Sequence, residues 1–100
     1  MAKISWRDEL WRFYEGVFGK NYRNYIHRFS NKENEVFVSF YVNGDEVVVI
    51  ANPSGLRVIK HERMATDHPQ EVFNSPFSKT DLKKIKPFIN QAEPKQGSHQ

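Results

Sequence analysis

A chain of 100 residues with a net charge of +3 is one domain's worth of protein, and its 14% aromatic share is enough for a single modest core. The absence of cysteine excludes disulfides and thiolate-bound zinc. No window approaches the apolar length that spans a bilayer, and the start of the chain is charged too early for a secretory signal, so a cytoplasmic protein is expected.

The first predicted element is a helix from Ser5 to Phe18. Ser5 suits the N-cap, and Asp8 stands three residues later, where it completes a capping pair. Trp6, Leu10, Phe13, Tyr14, Val17 and Phe18 form one apolar stripe at helical spacing, from which Arg7, Arg12 and Glu15 fall away. Trp11 lies beside the stripe, either widening it or serving as a contact residue. Gly19 is expected to stop the helix in the left-handed conformation.

Residues 20–31 read both ways. Tyr22, Tyr25, Ile26 and Phe29 have helical spacing, while Tyr25, His27 and Phe29 alternate as in a strand. The residue types and the polar turn at Ser30 to Asn34 favour a strand from about Asn24 to Ser30. Val36 to Val42 is a clearer strand. Asn43-Gly44 is a strong hairpin signal, and Glu46 to Ala51 returns as the partner. That turn sets Phe40 opposite Val47, Val38 opposite Val49 and Val36 opposite Ala51 on a core face. Phe37, Ser39 and Tyr41 share the other, only half-polar face with Ile50, Val48 and Glu46. Asn52-Pro53-Ser54-Gly55 is a second turn, and Leu56 to Arg63 reads as the last strand. Ala65 to Asn74 is loop-like. Ser78 and Asp81 repeat the capping pattern, and Leu82, Ile85, Phe88 and Ile89 mark a second helix that Pro87 should kink or loosen. From Gln91 onward, a disordered polar tail is expected. The fold class is α+β in two layers: an N-terminal helix, an antiparallel meander of three to four strands and a C-terminal helix, with residues 1–90 as one domain.

Chemistry is sparse. His27, His61, His68 and His99 lack metal-binding spacing, no cofactor loop is present, and no nucleophile motif stands out, so neither metal, cofactor nor catalysis is expected. The charge pattern is more telling. Gly16 to Lys32 holds Lys20, Arg23, Arg28 and Lys32 with rings and no acid, whereas Glu33 to Gly55 holds Glu33, Glu35, Asp45 and Glu46 with no Lys or Arg. Cations among aromatic faces suit a polyanion with bases to stack on. Lys20, Tyr22, Arg23, Tyr25 and Arg28 are therefore candidate nucleic-acid contacts. Arg57, Lys60 and Arg63 on the last strand, and Lys79, Lys83 and Lys86 on the last helix, join them if the three groups converge. The acids are expected at one end of the sheet, where they would orient a bound polyanion or guard a strand edge.

The expected function is a small, non-enzymatic nucleic-acid-binding protein, for DNA or RNA. The alternative is a protein-interaction module, an inhibitor, accessory factor or homodimer, that uses Trp11, Phe37 and Tyr41 on an apolar sheet face.

Overall fold

The computed structural model describes residues 5–62 and 69–95. Helix α1 spans Trp6–Phe18, and the Ser5 hydroxyl accepts from the Asp8 amide at 3.1 Å as its cap. Gly19 ends the helix at φ 86°, ψ −171°. The φ is positive as expected, but the ψ is extended rather than left-handed helical. Only glycine visits that region without strain, because any Cβ would collide with its own backbone.

The ambiguous segment resolves into two pieces. Tyr22–Tyr25 forms a 3₁₀ turn, and strand β1 follows at Arg28–Lys32. The expected strand from Asn24 is thus corrected in its first half. The turn's tyrosines take helical spacing because Tyr22 and Tyr25 pack back towards α1: Tyr25 stacks on Phe18 with centroids 4.6 Å apart, and Tyr22 lies 6.2 Å from Trp11.

Strands β2 (Glu35–Val42), β3 (Asp45–Asn52), β4 (Gly55–His61) and β5 (Gln70–Ser75) complete one five-stranded antiparallel sheet in the order β1-β2-β3-β4-β5. Asn43 and Gly44 both carry positive φ, 54° and 88°, as a tight hairpin turn requires. The expected register follows, with Val36 on Ala51, Val38 on Val49 and Phe40 on Val47. Strand β5 lies in the stretch read as a loop. Its Val72 and Phe73 are only half-buried, and a bulge between Val58 and Ile59 shifts its pairing, so its alternation is faint in the sequence. Arg63 and His68 lie outside the described residues.

Helix α2 spans Lys79–Ile89. The Ser78 hydroxyl accepts from the Asp81 amide at 3.0 Å and donates to the Asp81 carboxylate at 2.8 Å. That hydrogen bond is the main reason the Asp81 carboxyl is held below its usual range, with Lys84 adding to it. The helix continues through Pro87, which gives the Lys83 carbonyl no amide donor, and the Asn90 amide closes it on the Lys86 carbonyl at 2.8 Å.

Both helices cover one face of the sheet. Leu10 and Tyr14 from α1, and Leu82, Ile85 and Ile89 from α2, form a single buried cluster with Val36, Val38, Phe40, Val47, Val49, Ala51, Leu56 and Val58. Arg7, off the apolar stripe, is half-buried. Its guanidinium lies 4.7 Å from the Trp6 ring and donates to the Asn31 side chain and to the carbonyls of Lys32 and Glu33. It pins α1 to the β1–β2 turn.

Past α2 the backbone returns to the sheet. Ala92 bridges Val42, the Glu93 amide bonds the Tyr41 carbonyl at 2.8 Å, and the Lys95 amide bonds the Asn24 carbonyl at 2.7 Å. The other side of β2 is taken by β3, so this segment continues the ladder on the side that β1 uses. Residues 96–100 lie outside the described residues.

Tyr14 is fully buried, and its hydroxyl has no hydrogen-bond partner among the described residues. Burial pushes the phenol's pKa up. An unbonded buried hydroxyl costs desolvation and returns nothing. Tyr14→Phe is therefore expected to leave stability unchanged or to raise it by up to about 1 kcal/mol in urea melts. A loss larger than that would show that the hydroxyl is bonded in solution.

Candidate functional site: an aromatic, basic cleft beside strand β1

The side of α1 that carries Trp11 meets the 3₁₀ turn and the start of β1, and the three do not close on one another. Between them lies a cleft of about 450 Å³ lined by Trp11, Tyr22, Arg23, Ile26, His27, Phe29, Asn31 and Lys95. Each wall has a local cause. Trp11 sits one position off the buried Leu10 on α1, so its indole flanks the buried Tyr14 ring, centroids 5.8 Å apart, and reaches out towards Tyr22 and Phe29 at 6.2 and 6.3 Å. The 3₁₀ turn holds Tyr22 half-buried, and the Arg23 guanidinium lies 5.8 Å over its ring. Phe29 pairs with Val38 in the ladder and so points to the helix side, but it stands on the edge strand beyond the core's reach and is 59% exposed. The chain end brings Lys95 to the rim.

No Asp or Glu lines this cleft among the described residues. A second recess of about 340 Å³ adjoins it, sharing His27 and Lys95 and adding Tyr25, Tyr41, Glu93 and Pro94. The His27 and Tyr41 rings are 4.2 Å apart there.

The cations singled out in the sequence do not share one face. Arg23 lines the cleft, and Lys20 is exposed just before the 3₁₀ turn. Arg28 and Arg57 lie on the helix-free face of the sheet, and both are paired. Arg28 reaches Glu46 at 2.8 Å, and Arg57 reaches Glu71 at 2.7 Å. The Arg57 hydrogen bond, helped by Asn74, holds the Glu71 carboxyl below its usual range. Lys60 is opposite Val47 and so lies on the helix side, 3.6 Å from Asp45. Lys79 and Lys83 line a separate groove between the helices with Glu9, Arg12 and Phe13, and Lys86 is exposed on α2. A sheet with both helices on one side necessarily separates residues of α2 from the outward rows of β1 and β4.

The acids are also divided. Glu33 and Glu35 flank the turn where β2 begins, whereas Asp45 and Glu46 follow the turn where it ends. Strand β2 stands between them, so they do not form one acidic rim.

The bare sheet face explains itself. Arg28 is opposite Ser39, and Glu46 is opposite Tyr41, so their ion pair crosses over β2. Ser39 and Val48 are buried on that face with no helix above them. The Arg28 guanidinium also lies 5.5 Å from the Phe37 ring, leaving Phe37 half-buried. Long charged side chains thus cover apolar surface with their stems.

No protein-family description, curated protein or solved structure matches this chain. Among the described residues, no helix is long and apolar enough to cross a membrane.

Of the expected contacts, Trp11, Tyr22 and Arg23 come together in the cleft, while Tyr25 and Tyr41 line the recess beside it. His27, Phe29, Asn31 and Lys95 were not among them. Phe29 carried a readable signal, since it belongs to the ring-and-cation run. Lys95 carried none: its place depends on a backbone bond to Asn24, seventy-one positions earlier.

Proposed function

We propose that this protein is a small, non-enzymatic nucleic-acid-binding protein of the cytoplasm. One observation carries the reading: a cleft walled by Trp11, Tyr22 and Phe29, rimmed by Arg23, His27 and Lys95, and free of carboxylates among its described lining. Rings at this density supply stacking platforms, and cations at the rim supply phosphate contacts. The interaction-module reading has less support. Trp11 leans into the cleft, and Phe37 is partly covered by Arg28.

Phosphate contacts release counterions, so affinity must fall as salt rises. The test is retention of a labelled mixed-sequence oligonucleotide across a salt series. Affinity is expected to fall steeply between low and physiological salt, with a log–log slope of about −1 to −3 for the few cations available. No binding at low salt, or binding indifferent to salt, would overturn the proposal.

A further inference from the structure

Two exposed rings mark the two adjoining recesses. Phe29 at 59% and Tyr41 at 40% are the exposed large hydrophobic side chains of the described chain. Phe29 reaches the first recess from the helix side of the sheet and Tyr41 the second from its helix-free side, and His27 and Lys95, beside the edge strand, are common to both. Neither ring is needed to fill the core, and each leaves apolar area in water that a flat partner would cover.

Resting on the nucleic-acid reading, we infer that the paired recesses hold two successive unpaired nucleotides of a single strand. One base enters the recess that Trp11, Tyr22 and Phe29 line and lies against an exposed ring face. The next lies against Tyr41, and the phosphate that joins them meets Lys95 and His27. Arg23, at the first recess only, takes the phosphate on the far side of the first base.

Three features select an unpaired strand. A duplex keeps its base faces stacked on one another and offers a protein its phosphates and groove edges, so a ring-lined recess gains nothing from it. A splayed base offers its whole face, and aromatic side chains take it whatever its identity. The charges also alternate suitably. Arg23 lines only the first recess and Lys95 lines both, whereas Glu93 lines only the second. A carboxylate there repels a phosphate but accepts from an exocyclic amino group of a base.

The test uses the full chain and four ligands in fluorescence anisotropy at low salt. These are a mixed-sequence single strand of about eight nucleotides, within the span of a small binding domain, the same strand with abasic sites, the same sequence as a duplex, and a free mononucleotide. The base-bearing strand should bind about tenfold or more tighter than the abasic strand and the duplex, the scale of one or two lost stacking contacts. Phe29→Ala and Tyr41→Ala should each weaken strand binding about five- to tenfold and leave abasic-strand binding unchanged. Both side chains are exposed, so the variants should keep the wild-type circular dichroism spectrum. Equal binding of the abasic and base-bearing strands overturns the inference while leaving nucleic-acid binding intact. So do a duplex that binds as tightly as the strand and a mononucleotide that matches it. Failure of every nucleic acid to bind overturns both.

Discussion

Truncating Phe40 to alanine will lower the stability of the fold by about 3–5 kcal/mol. Phe40 is fully buried at the middle of β2, opposite Val47, and its ring meets Tyr14 at 5.4 Å and Phe18 at 5.3 Å. Removing it deletes apolar burial and opens a cavity. Its neighbours on α1 and β3 are held by a helix cap and a strand ladder and are poorly placed to collapse into the gap. It also removes two aromatic contacts, one edge-type with Tyr14 and one tilted with Phe18. The comparison is Phe37→Ala, three residues away on the opposite face and only half-buried, where the loss should be much smaller. Urea melts with an unchanged m-value would measure both. A Phe40→Ala loss below about 1 kcal/mol would mean that α1 does not seat on the sheet as described.

Reversing both cations at the cleft, Arg23→Glu with Lys95→Glu, should weaken oligonucleotide binding by about a hundredfold at low salt and reduce the salt slope by about two. The two residues come from the 3₁₀ turn and the chain end, and both stand at the rim of the ring-lined recess. Charges farther away are screened within about 10 Å at moderate salt. The matched reversal is Lys79→Glu with Lys83→Glu, which changes net charge equally but lies in the groove between the helices. It should cost far less. Equal losses from the two double variants would show that net charge, and not this cleft, governs binding. Neither pair touches the buried cluster, so stability should change little.

The parts of the fold readable from sequence were those fixed by neighbours along the chain. Ser5 with Asp8 and Ser78 with Asp81 announce helix starts because the cap lies within one turn of its partner. Asn43-Gly44 fixes the β2–β3 register because that turn demands two positive φ angles. Strand β5 was not readable, since half-burial and a bulge blur its period. The 3₁₀ turn at Tyr22–Tyr25 was ambiguous because stacking on Phe18, rather than local preference, decides it. The candidate site was half legible. Its rings and Arg23 lie close together in sequence, but the dispersal of the other cations follows from the placement of both helices on one side of the sheet. The burial of Ser39 follows from an ion pair across three strands, which composition alone does not reveal.

The pairing of Ala92 with Val42 gives the two halves of the cleft separate fates. Its rings belong to α1, the 3₁₀ turn and β1, while Lys95 arrives on a terminal ribbon held by a few main-chain bonds. A chain clipped ahead of Ala92 would keep the rings of the first recess but lose Lys95 together with Glu93 and Pro94 of the second, so cutting there would spare the platform for one base and dismantle the seat of the next.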